Sequence, residues 1–433
     1  MFHNKLRQKQ ILTGLLTLSL FVGTPIILDS SVSYFLGEKK DFLSLILFFS
    51  DCVVLMTAGA LIWHNRAEKQ LKPLSKWAYV FPALLILHFM SVVFNYQNLL
   101  IPTISIYYLL LLIKAYVLHE TQLLKIVEVR NVFEKVLIGM GILQTVLAMG
   151  QFALQSNVGL HIFGEQVLGP YIDGVAKIES LNQILIRPYG TFAHPNILGG
   201  ILVVAFIIQL KRAVSQETSS RLRLITTVCS LLILLTGVIL TFSRAAWLAA
   251  ILGILSFALF AIIGKVKVTS LAYLYRVLLY CAFLSVIMTT ILLSVIEPRA
   301  TLTDSATTER QSYNKAAIST ILNYPLFGVG PGQSLLHMQQ SLGKNVEPWE
   351  VQPVHNYFLL YASELGIPAL LLLLFCFIRN IWKAIYNTGD SDHFAYLSVF
   401  IAIIPLLLFD HYIYTISTTV TLFWLLSSLY SAD

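Results

Sequence analysis

The stretch "LITTVCSLLILLTGVILTFSRAAWLAAILGILSFALFAIIG", residues 224–264, holds a single charged side chain, Arg244. A bilayer core is crossed by roughly 20 apolar residues. One unbroken helix of this length would overrun the membrane, so the run is expected to turn back at Ser243–Arg244. Residues 394–430 divide in the same way at Asp410–His411. Comparable runs fill the chain, which is 57% hydrophobic and 12% charged, whereas soluble proteins carry about a quarter charged residues. The expected fold is an all-α integral membrane protein, a single polytopic domain over residues 1–433. It has about twelve transmembrane helices, near 11–28, 43–63, 77–95, 99–118, 136–155, 196–210, 224–242, 245–264, 277–296, 356–378, 394–409 and 412–430.

The first run follows Lys5, Arg7 and Lys9 in the manner of a signal peptide. It is long enough to span, and "FVGTPIILDS" offers no small-residue cleavage site, so an uncleaved first helix is expected. With the N-terminus inside, most of the 29 lysines and arginines fall on inner segments. Examples are Arg66, Lys69, Lys72 and Lys76; Lys211, Arg212, Arg221 and Arg223; and Arg379 with Lys383. That is the positive-inside pattern, and it implies cytoplasmic N- and C-termini. The net charge of +7 is then topology, and nucleic acid is excluded as a partner. Cys52, Cys229, Cys281 and Cys376 lie in apolar runs without a CxxC, so neither a disulfide framework nor a zinc site is expected.

Two outer loops are long, about 156–195 and 297–355, and soluble chemistry is expected on that side. The second is expected to be partly helical. Asp304 or Ser305 can cap a helix that Asn323-Tyr324-Pro325 ends, with Arg310, Asn314, Ala317 and Ile321 on one face. The "GVGPGQ" that follows has no preceding strand, so it reads as a tight turn and not as a dinucleotide fingerprint. The "DSD" at 390–392 resembles a metal–nucleotide-sugar motif, but it sits in a short inner loop and is expected to be a solvated connector.

Candidate chemistry gathers at the outer ends of spans. Arg244 either marks the water boundary or binds a phosphate through its guanidinium fork. Arg187 is either a loop cation or a second anion ligand, beside His194 and Asn196. His355 is either a satisfied interface histidine or a base that takes a proton from a hydroxyl. Glu364 shares a helical face with Asn356 and Leu360, and a carboxylate at that depth must face protein or water. Arginines for an anionic leaving group and a histidine for a nucleophile's proton suit an enzyme whose donor is a lipid diphosphate carrying a glycan, with no metal required.

Four stretches now carry a resemblance: "RPYGTFAHPNILGG", "TFSRAAWLA", "ERQSYNKAAISTILNYPLFGVGPGQ" and "HNYFLLYASELGIPALL". In this order, with a large outer loop before the last, the chain resembles the O-antigen ligase and polymerase superfamily of bacterial membrane glycosyltransferases over about residues 185–380. The resemblance implies a GT-C type fold and a place in the cytoplasmic (inner) membrane among membrane lipid. It implies inverting, metal-independent transfer, without cofactor, from an undecaprenyl-diphosphate-linked oligosaccharide to a hydroxyl of a glycan or glycolipid acceptor. By motif, His355 resembles the general base, and Arg244, Arg310 and Arg187 resemble ligands of the donor diphosphate. Asn356, Glu364 and His194 would support them. The competing class is a twelve-helix transporter or flippase, which would ordinarily show related halves and a substantial inner connection.

Overall fold

A computed structural model describes residues 2–29, 34–35, 38–39, 45–67, 80–95, 102–180, 183–215, 220–263, 268–291, 305–342, 352–386 and 391–430. The described part is mostly helical. Helices α1 to α5 span Phe2–Ser19, Phe49–Ala67, Val80–Phe94, Pro102–Thr121 and Val127–Leu154. Next come α6 (Pro195–Ser215), α7 (Arg221–Leu240), α8 (Arg244–Ile263) and α9 (Val268–Ile291). The expected extramembrane helix is α10 (Ser305–Asn323), followed by the short α11 (Ser334–Leu342). The chain closes with α12 (Tyr357–Leu365), α13 (Ile367–Tyr386), α14 (Ser391–Phe409), α15 (Tyr412–Thr415) and α16 (Ser417–Ser427).

The long run at 224–264 does turn back: α7 ends at Leu240 and α8 begins at Arg244. Phe242 makes the reversal with a positive φ of 49°, an uncommon conformation for a bulky residue. Its ring is fully buried between Phe152 and Trp247, and that packing holds the strained backbone in place. The second run also breaks where expected, at Asp410–His411.

Other boundaries differ from the hydropathy reading. The first helix stops at Ser19, and Pro25–Asp29 forms strand β1, antiparallel to a strand at Leu45–Phe48. The span expected at 356–378 is two helices divided at Gly366, whose φ of +87° an L side chain adopts with strain. Hydropathy registers apolarity and cannot see a change of axis. Among the described residues, α4 to α8 are long and apolar enough to cross a membrane, and α2, α3, α9, α14 and α16 carry shorter apolar stretches. Large apolar side chains such as Leu143 on α5 and Leu255 on α8 stay more than half exposed, as a lipid-facing surface requires.

Helix α6 lies at the centre, packed by α5, α7, α8, α9 and α14, and is apolar on every face. Small residues let its neighbours come close. A side-chain carbon at Gly199 would stand 2.8 Å from the Ala246 methyl of α8. Near its C-terminal end, Lys211 and Arg212 (2.9 Å) both meet the Glu134 carboxylate of α5, which also accepts the Tyr396 hydroxyl of α14 at 2.7 Å. Glu134 is fully buried. Removing one partner of a buried ion cluster leaves charge uncompensated and costs about 3–5 kcal/mol. Glu134→Ala should therefore lower the thermal unfolding midpoint in detergent well below that of a lipid-facing control such as Leu255→Ala. Equal midpoints would show that the cluster contributes nothing to stability.

Candidate active site

The opposite end of α6 carries the candidate site. Arg187 precedes it in a loop that the glutamines of α5 hold. Gln151 Oε1 accepts the Tyr189 and Gly190 amides at 2.9 and 2.8 Å, and Gln144 Oε1 accepts that of Thr191 at 2.9 Å. The preceding segment forms an antiparallel hairpin, Lys177–Ser180 with Gln183–Ile186. Its entrance is gathered by Glu165, which accepts the Val158, Gly159 and Leu160 amides and the Gln151 side chain. Burial would raise the Glu165 carboxyl, but these four donors outweigh it and hold the group below its ordinary value.

From this frame a polar chain runs into the bundle. Arg187, 4% exposed, donates from Nε to the carbonyl of Thr241 at 2.9 Å and from Nη2 to Asn196 Oδ1 at 2.6 Å. Thr241 sits on the turn that leads to Arg244. Asn196 passes the link on, donating from Nδ2 to Asp410 Oδ2 at 2.7 Å. The other oxygen of Asp410 accepts the His411 amide at 2.9 Å and faces His355 Nδ1 at 3.7 Å. His355 is brought there by its neighbour. Asn356 caps α12, accepting the Leu359 amide at 3.0 Å, and donates to the Leu408 carbonyl at the end of α14, also at 3.0 Å.

The charges around Asp410 are asymmetric. Burial would raise its carboxyl, but the imidazoles of His355, His411 and His194 hold it well below the usual carboxylate range. Burial pushes the His411 imidazole down to about 4, with His355 and Arg310 adding to the effect and Asp410 opposing it. Burial likewise takes His194 down to about 3, helped by Arg187. Both imidazoles therefore stay neutral beside an ionised carboxylate.

Glu364 answers a different need. It is 1% exposed, and its carboxylate accepts the Ser334 hydroxyl at 2.8 Å, the Tyr414 hydroxyl at 3.0 Å and the amides of Gly332 and Ser334. Its backbone carbonyl accepts the Gly330 amide, and the preceding carbonyl of Ser363 accepts that of Val329. Glu364 thus pins the "GVGPGQ" turn to α12. Gly328 in that turn passes so close to the Glu364 backbone, with φ +61°, that a side chain there would overlap it. Above the turn, Tyr313, Ala316 and Ala317 of α10 pack on Met338 of α11 and on Val354 and Leu360. This packing holds α10 close enough for the charge of Arg310 to act on His411.

The structure thus brings His355, His194, Asn356, Arg187 and Arg310 to one end of the bundle. Arg244 begins α8 at the turn that Arg187 braces, and Glu364 lies beneath as an anchor. Sequence reasoning passed over Asp410, His411 and Asn196 as chemical groups. The signal was present, because two ionisable residues interrupting a long apolar run are a functional flag in a membrane protein.

A helical membrane protein with a buried carboxylate among imidazoles, and with arginine charge acting on that site, is the class that the fold and site define. Residues 229–374 match the O-antigen ligase family model, and over this third of the chain the resemblance to the O-antigen ligase and polymerase superfamily is shown. The matched segment includes Arg244, Arg310, His355, Asn356 and Glu364, whereas Arg187, Asn196, Asp410 and His411 lie outside it. No curated protein matches the chain.

The depressed imidazoles give the site a pH signature. An unfolded histidine takes up a proton below about 6.5, but folded His194 and His411 do so only near 3 and 4. Their contribution to stability is present above pH 6.5 and is lost as pH falls toward 4. Asp410, depressed as a carboxylate, keeps its contribution until below the ordinary value of 3.8. The unfolding midpoint should fall between pH 6.5 and 4, and less steeply in His194→Gln. A profile that is flat over that range in the parent protein would contradict the neutral-imidazole assignment.

Proposed function

We propose that this protein transfers a glycan from a lipid-diphosphate carrier, such as undecaprenyl diphosphate, to an acceptor hydroxyl at the outer face of the cytoplasmic membrane. The observation that carries this reading is the Arg187–Asn196–Asp410 chain ending on His355, inside a fold whose central segment matches the O-antigen ligases. Asp410 favours the tautomer with the proton on His355 Nδ1, which leaves Nε2 with a lone pair for the acceptor. Gln352 Oε1, 3.3 Å from Nε2, cannot donate to that lone pair, so the nitrogen is left available to the acceptor hydroxyl. As the acceptor oxygen bonds to the anomeric carbon, its proton passes to Nε2. The bond from that carbon to the diphosphate oxygen breaks, and its electron pair leaves with the diphosphate. Attack opposite the leaving group inverts the anomeric centre.

Arg310 and Arg244 are assigned to the diphosphate, whose developing charge their guanidinium forks can take without a metal. Arg187 is assigned to holding Asn196 and the Arg244 turn, because its Nε and Nη2 donate to Thr241 and Asn196 within the protein. Whether the acceptor is a lipid-linked repeat or a glycolipid core sets polymerase against ligase. In a deletion strain, single-repeat products indicate a polymerase, whereas loss of long chains from the core with accumulation of lipid-linked polymer indicates a ligase.

Transfer from a defined lipid-diphosphate glycan by the purified chain, with EDTA present, tests the reading directly. His355→Ala should lose on the order of 10³-fold or more in turnover with folding intact. Full activity in that variant would dismiss the base. Arg310→Ala and Arg244→Ala should weaken donor binding as well as turnover, and unchanged donor affinity in both would remove them from the diphosphate site.

A further inference from the structure

Transfer leaves one property of this site unused. His355, Asp410 and His411 each offer a ligand atom, and the three atoms lie within 4.8 Å of one another. His355 Nδ1 is buried without a hydrogen-bond partner, and its 3.7 Å separation from Asp410 Oδ1 exceeds hydrogen-bond length. Two donors on one tetrahedral zinc ion, bound at 2.0–2.1 Å, stand about 3.4 Å apart. The observed separation is closer to that of co-ligands than to that of a hydrogen-bonded pair.

The surroundings fit the same reading. His411 Nδ1 lies 2.9 Å from Thr415 Oγ1, and that hydroxyl faces the His411 carbonyl at 3.4 Å, to which it can donate. The hydroxyl therefore accepts from Nδ1–H, which leaves the lone pair of His411 on Nε2. The second oxygen of Asp410 is oriented by Asn196 at 2.7 Å. Ligating imidazoles and carboxylates ordinarily carry outer partners of this kind. Two imidazole nitrogens and one carboxylate oxygen suit a borderline divalent ion such as zinc. The positive charge of Arg310 acts on the same imidazole, which weakens cation binding and makes the site reversible.

We infer that His355, Asp410 and His411 form a transition-metal site whose occupation by zinc switches transfer off. The inference rests on His355 being the base. A zinc ion bonded to Nδ1 displaces the proton there, and the neutral imidazole then carries its proton on Nε2. Gln352 Oε1, 3.3 Å from Nε2, is placed to accept it. The nitrogen that faces the acceptor then has no lone pair, and catalysis stops without any change of fold. Metal-independent transfer and metal-dependent inhibition are thus two states of one imidazole.

The test uses the full-length chain purified in detergent, with Co²⁺ as the spectroscopic probe. Titration should give a visible absorption band that saturates at one ion per chain, and Zn²⁺ should abolish it. His411→Ala, or His411→Gln if the alanine variant fails to fold, should lose the band. In the transfer assay Zn²⁺ should inhibit the parent protein, with EDTA restoring activity. The remaining activity of the His411 variant should need roughly tenfold or more zinc for the same inhibition. No band, a band that persists in the folded His411 variant, or equal zinc sensitivity in both proteins would overturn the inference. The two readings fail separately. An active His355→Ala removes the base whatever cobalt does, whereas an inactive His355→Ala with no cobalt binding removes only the metal site.

Discussion

Helix α6 is held at both ends by a buried carboxylate, and the rest of the molecule is arranged around that constraint. At one end Glu134 gathers Lys211, Arg212 and Tyr396; at the other Asp410 takes Asn196. The two ends are about 22 Å apart along the helix at 1.5 Å per residue. A carboxylate in apolar surroundings is costly unless several donors meet it. Each such group therefore fixes the positions of the helices that supply its donors. Tyr396 of α14 and Asp410, the residue after its end, serve the two ends, so α6 and α14 are tied together at both.

The same rule recurs away from this pair of helices. Asp51 on α2 accepts Lys114 of α4 and the Ser417 hydroxyl of α16, each at 2.5 Å, and ties three helices together. Glu364 fastens the segment under α10 through two hydroxyls and two amides. In a fold whose apolar faces gain little by choosing one another over lipid, these polar anchors specify the arrangement and shape complementarity fills it in. The candidate site uses the anchor at the α14 end. It is the place where satisfying a structural carboxylate also orients an imidazole. That coupling explains why Asp410 Oδ2 is held by Asn196 while Oδ1, which accepts the His411 amide, also faces His355 across a longer gap.

Several residues were legible as candidates because their types are out of place in apolar sequence. Arg244, His355 and Glu364 stand out by charge alone, and of the four motifs that carried the family resemblance three lie within the matched residues 229–374. The roles were less legible than the positions. Arg187 and Arg310 look alike in sequence, yet one is buried on Thr241 and Asn196 and the other lies on α10, where its charge acts on His411. From sequence Glu364 could orient a polar pocket or pin neighbouring helices, and its bonds fasten the 330–334 turn to α12.

The sequence by itself determined the membrane class, the helix breaks at Ser243–Arg244 and Asp410–His411, and the helical segment at 305–323. These depend on composition and local periodicity, which one stretch of chain contains in full. Only the tertiary structure decided that α6 is the centre and that Asp410, some 55 positions after His355, is its partner. It also decided that Asn196 and Arg187 stand behind them. Those contacts join residues from four separate segments, and what selects them is the need to satisfy one buried charge, a requirement that appears only once the helices are packed.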